Sequence, residues 1–119
     1  MSRRYKSYAA ETGVVYRYFF DSRRSVVRPV GLGPGSDYVF VLTADQGVPF
    51  EVRIFVSQRA LTAWRAAHGR ELDSSEQYAL AKMRLFRAFD ELENLRPESM
   101  NLVVNDTNVL ELLADLDLA

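Results

Sequence analysis

The sequence predicts an α+β fold: one two-layer domain over residues 1–119, with an antiparallel sheet of about four strands made of two hairpins, followed by two or three helices packed on one face. Three observations carry this expectation. The first half of the chain holds short runs of β-branched and aromatic residues. Glycine, proline and polar clusters separate those runs. From Ser57 onward, apolar residues recur at three- and four-residue spacing behind residues that cap helices.

Taken in order, residues 14–20 (Val-Val-Tyr-Arg-Tyr-Phe-Phe) predict the first strand, with Val14, Tyr16, Tyr18 and Phe20 on one face. The polar segment 21–24 reads as a turn into a short second strand over 25–30. Pro29 cannot donate a ladder hydrogen bond, which makes that strand short or an edge. Residues 31–36, rich in glycine and proline, read as a loop. Runs 38–43 and 50–56 form the clearest hairpin signal, and Gly47 between them can supply a positive φ. In the second run Phe50, Val52, Ile54 and Val56 share one face, and Glu51, Arg53 and Phe55 share the other.

Ser57 can cap a helix that runs to about His68, with Gly69 as its stop. Asp73 with Glu76, or Ser74 with Gln77, forms a capping-box pattern ahead of a helix of about five turns. Its apolar stripe is Tyr78, Ala81, Leu85, Phe89 and Leu92 with Phe86 beside it, and Pro97 ends it. Residues 101–104 suit an extra short strand. Asp106 can then cap an acidic, leucine-rich terminal helix over 106–119 containing Val109, Leu112, Leu113 and Leu116.

At 48% hydrophobic and 26% charged, the composition is that of a globular domain with a core to build. The net charge of −1 hides two oppositely charged ends. Residues 1–30 carry seven basic and two acidic side chains, and residues 90–119 carry one basic and eight acidic. Residues 1–12 read as a basic arm. The chain has no cysteine, so a disulfide framework, a thiolate metal centre and a cysteine nucleophile are excluded, and a cytoplasmic location is the expectation. No apolar run follows the basic start, and none approaches the length of a membrane span.

No catalytic signature stands out, and neither cofactor nor metal is expected. The glycines at 31, 33 and 35 lack the Lys-Ser/Thr of a phosphate loop and lead into a strand, so they read as a connection. His68, the single histidine, falls at a helix C-terminus, where it complements the dipole. Glu111 and Asp115, four apart on the last helix, read as a solvated face.

A sheet whose third strand is apolar on both faces needs cover on both. The expected function is therefore a protein-interaction or regulatory module that self-associates or binds a protein partner through its open sheet face. Arg17, Phe19, Arg53 and Phe55 are the expected anchors, because aromatics and arginine dominate such contacts. The alternative is nucleic-acid binding by Arg3, Arg4, Lys6, Arg23, Arg24 and Arg28, interleaved with tyrosines that can stack on bases. A third reading is a small-molecule site or small enzyme with an aromatic pocket near Tyr78 and Trp64.

Overall fold

The computed structural model describes residues 5–28, 32–91 and 102–114. Arg3, Arg4, Pro29, Gly31, Leu92, Pro97, Asp115 and Leu116, which figure in the sequence expectations, lie outside those residues. The strands are β1 (Lys6–Ala9), β2 (Val15–Arg28), β3 (Gly33–Ala44), β4 (Phe50–Ser57) and β5 (Leu102–Val104). The helices are α1 (Gln58–His68), α2 (Ser74–Glu91) and α3 (Val109–Ala114). The two-layer α+β architecture is as expected, but the sheet has five strands in the order β1-β2-β3-β4-β5. It is mixed: β1 to β4 form an antiparallel meander, and β5 returns parallel to β4 after α1 and α2.

Strand β1 comes from the segment read as a basic arm. Its sequence, Lys-Ser-Tyr-Ala, is a weak strand former, so tertiary contact decides its place. Tyr8 stacks on Phe86 at 4.5 Å, and its hydroxyl donates to Asp90 Oδ2 at 2.6 Å. The turn into β2 places Gly13 at φ 94° and is closed by the Gly13 N–H donating to the Ala10 carbonyl at 3.0 Å.

The turn expected at 21–24 is absent. Those residues lack the glycine or asparagine that a tight hairpin requires, and the chain continues as one strand of 14 residues. The irregularity at Asp21 is absorbed as a β-bulge, where the register against β3 shifts between Phe20 and Ser22. Before the bulge Tyr16, Tyr18 and Phe20 face the helices; after it Arg23, opposite Tyr38, takes that side and Ser22 and Arg24 turn away. The loop read over 31–36 is also mostly strand, since Gly33–Ser36 pair with Ser25–Arg28.

The β3–β4 connection confirms the hairpin but not its pivot. Asp45 (φ 47°) and Gln46 (φ 64°) carry the positive φ values, and the Gly47 N–H donates to the Ala44 carbonyl at 2.9 Å. Asp45 tolerates this conformation because the turn is tied to β2. Its N–H donates to the Val15 carbonyl at 2.9 Å, and its Oδ1 accepts from the Val15 N–H at 3.0 Å.

The helix signals hold. Ser57 Oγ accepts from the Ala60 N–H at 3.1 Å, and Gly69 at φ 75° donates to the Arg65 carbonyl. Of the two capping-box pairs the structure uses Asp73 and Glu76, bonded reciprocally at 2.8 and 3.0 Å. Arg70 adds two bonds to the Glu76 carboxylate at 2.8 Å each, which with the backbone bond holds its pKa at about 2. At α3 the cap is Asn105 rather than Asp106: Asn105 Oδ1 accepts from the N–H groups of Thr107 and Asn108 at 2.9 Å each.

One core joins the layers. From the sheet come Tyr16, Tyr18, Phe40, Leu42, Val52, Ile54 and Val56; from the helices come Trp64, Leu80, Leu85, Phe89, Val109, Leu112 and Leu113. Val109, Leu112 and Leu113 are fully buried, so the described part of the leucine-rich terminal helix docks on its own domain. Arg87 reaches across to Glu111 at 3.7 Å from that helix. Among the described residues, no helix is long and apolar enough to cross a membrane.

Candidate interaction surface

The helix-bearing face of the sheet is filled by the core, and the other face carries no helix among the described residues. Pairing fixes which side chains share this second face. Arg17 is opposite Thr43, and Phe19 is opposite Val41, which is itself opposite Glu51. Val39 pairs with Ser22 and Arg53, and Asp37 with Arg24 and Phe55. The four anchors read from the sequence, Arg17, Phe19, Arg53 and Phe55, therefore do lie on one sheet face. The strand periodicity was enough to place them.

Their exposure differs. Arg17 and Arg53 are exposed and Phe19 is half-buried, whereas Phe55 is only 2% exposed. Phe55 is thus not an open anchor. Its ring lies against Gly35 of β3, under the Arg28 guanidinium at 5.4 Å, and Arg28 is held there by Asp37 at 2.8 and 2.9 Å. This is a second small packed cluster, closed from within the chain. A strand glycine beside a cross-strand aromatic is its signal in sequence, legible only once the register is known.

What remains open lies toward the β1 end of the face. Tyr5 is 41% and Val15 44% exposed, and Tyr5 meets Phe19 edge-on at 4.9 Å. Val41 continues this apolar strip, with Arg17 on one flank and Glu51 and Arg53 on the other. Sequence reasoning placed Phe19 here and missed Tyr5, because β1 was not foreseen.

The basic residues are not gathered on one surface. Lys6, opposite Tyr18, and Arg23, opposite Tyr38, stand on the helix side; Arg24 and Arg28 stand on the other side, and Arg28 is spent on Asp37. Alternation along β2 separates Arg23 from Arg24, and the bulge at Asp21 decides which of them faces the helices.

On the helix side a half-open groove of about 620 Å³ separates the far end of the β2–β3 hairpin from α1 and the start of α2. Arg23 and Tyr38 line one wall, Leu61 and Arg65 the other, with Glu71 and Gln77 at the α1–α2 junction. Arg65 is paired with Glu71 at 3.1 Å. Neither Tyr78 nor Trp64 is among the lining residues. Trp64 is buried, stacked on His68 at 4.5 Å with the Arg70 guanidinium 4.8 Å from its ring centroid. Its Nε1 has no hydrogen-bond partner among the described residues.

A smaller hollow of about 290 Å³ adjoins Tyr8, Phe86 and Asp90. The bond to the Asp90 carboxylate, then burial, push the Tyr8 hydroxyl from 10.0 up to about 12. Because the folded pKa is the higher one, this stabilisation is complete below pH 10.0 and is lost as pH rises toward about 12. Tyr8→Phe is expected to cost about 1 kcal/mol near neutrality and to make the alkaline loss of stability less steep. The check is the urea midpoint measured from pH 8 to pH 12, scanned in steps of about one unit.

No protein-family model matches the chain, and neither a curated protein nor a solved structure shows significant similarity to it.

Proposed function

We propose that this chain is a protein-interaction module of the cytoplasm that self-associates through the helix-free face of its sheet. One observation carries the proposal: the face bears an apolar strip of Tyr5, Val15, Phe19 and Val41, flanked by charges of both signs. That arrangement is self-complementary. A two-fold axis running along β3 lays β2 of one copy over β4 of the other, which sets Phe19 over Glu51 and Arg17 two residues along the strand, within a long side chain's reach of that carboxylate, twice about Val41. The cytoplasmic placement is supported by the absence of cysteine.

The test is the molar mass by sedimentation velocity across a concentration series. Wild type is expected to show a monomer–dimer equilibrium. Glu51→Arg should weaken it by at least about tenfold, since like charges then meet at both ends of the contact, and Arg17→Glu added to Glu51→Arg should restore it. A wild type that stays monomeric throughout, or a dimer indifferent to Glu51→Arg, overturns the proposal. The first of these outcomes moves attention to the groove between Arg23 and Arg65.

A further inference from the structure

The helix side of the β2–β3 hairpin changes character along its length. Near the core the cross-strand pairs are Tyr18 with Leu42 and Phe20 with Phe40; beyond the bulge they are Arg23 with Tyr38 and then Ser25 with Ser36. A sheet face that stays covered has no use for that switch from apolar to polar. Here the cover stops short, because α1 stands off from the hairpin and leaves the half-open groove of about 620 Å³.

The opposite wall is one stripe of α1. Gln58, Leu61, Thr62 and Arg65 recur at the three- and four-residue spacing that puts side chains on one flank of a helix, while Ala60 and Trp64 turn into the core. Two guanidinium groups, Arg23 and Arg65, thus line the groove on opposite walls, and Glu71 is the single carboxylate among its described lining residues. Arg65 meets Glu71 through one nitrogen at 3.1 Å, between well-exposed side chains, a contact that is weak and easily shared. Arg23 is steadied by Tyr38, its guanidinium carbon 5.8 Å from the ring centroid. Gln58 opens α1, whose first turn has no acidic residue to answer the positive end of the helix. The volume falls within the range of about 300–1,000 Å³ typical of small-molecule sites.

We propose that this groove binds small phosphate esters of hydroxylated compounds, of the chemical class of sugar phosphates. A phosphate monoester carries about two negative charges at neutral pH and presents three acceptor oxygens, which two guanidinium forks can share, whereas a carboxylate is satisfied by one fork. The hydroxyls of Ser25, Ser36 and Thr62 and the amide of Gln58 both donate and accept, as ligand hydroxyls require. Tyr38, the one ring among the lining residues, is buried beneath Arg23, so a nucleobase finds no open stacking partner. The groove lies on the other side of the sheet from the self-association face, so it stands whether or not the chain dimerises.

The whole chain would be titrated with glucose 6-phosphate, with glucose and with inorganic phosphate, by calorimetry and by NMR of the backbone amides and arginine side chains. The ester is expected to shift the signals of Arg23, Thr62 and Arg65 and to bind at least about tenfold more tightly than glucose or inorganic phosphate. Arg23→Gln and Arg65→Gln should each weaken it about tenfold by removing a charge-assisted contact. Arg59→Gln, exposed on α1 outside the groove, should leave binding unchanged. Glu71→Gln releases Arg65 and should tighten binding about threefold. All four positions are exposed, and circular dichroism checks that the variants are folded. Three results overturn the proposal: no saturable binding of the ester up to about 10 mM, binding indifferent to both groove arginines, or inorganic phosphate bound as tightly as the ester.

Discussion

Phe89→Ala is expected to destabilise the fold by about 3–5 kcal/mol, the range for deleting a fully buried aromatic side chain. Phe89 has no exposed surface and stacks face to face on Tyr16 at 4.1 Å, with Tyr8 at 5.4 Å and Tyr18 at 6.1 Å. Its ring therefore joins α2 to both β1 and β2. The cavity left behind cannot collapse easily, because its lining comes from two strands fixed in register by backbone bonds. Against a typical total of about 5–15 kcal/mol, such a loss removes between about a fifth and the whole of the stability. Urea titration followed by circular dichroism measures it, and a cost below about 1 kcal/mol would show that Phe89 does not hold the layers together.

Gly35→Ala should cost as much by the opposite route. A Cβ at position 35 would collide with the Val56 carbonyl oxygen and stand 2.7 and 2.8 Å from two carbons of the Phe55 ring. Neither obstacle yields readily: one is backbone in a paired strand, and the other is a buried ring capped by Arg28. Overpacking of this severity is expected to destabilise by about 3 kcal/mol. The same substitution in a Phe55→Ala background should cost distinctly less, leaving only the carbonyl collision, and that difference measures the coupling between the two positions. Equal costs in both backgrounds would mean that the ring plays no part.

How much of this was legible in the sequence depended on how local the cause is. Ser57 and Gly69 bounded α1, and Asp73 with Glu76 started α2, because caps are satisfied by groups a few residues away. The face on which Arg17, Phe19, Arg53 and Phe55 lie was legible for the same reason, since alternation along a strand is local. The rest depended on partners remote in sequence. Strand β1 exists because Tyr8 finds Phe86 and Asp90. The bulge at Asp21, rather than any feature of composition, decides which arginines look toward the helices. Phe55 looked like an exposed ring because its cover, Arg28 held by Asp37, comes from two other strands.

The parallel return of β5 has a consequence for the order in which the molecule can assemble. The four-stranded meander pairs sequence neighbours and can zip up early, as local contacts form fastest. The segment after α2 nonetheless supplies Leu102, Val104, Val109, Leu112 and Leu113 to the core. A nascent chain halted behind α2 would hold a formed sheet edge and bare helix flanks with nothing to cover them. Synthesis of this protein therefore has an interval in which it is most exposed to misassociation, and that interval closes when β5 docks beside β4.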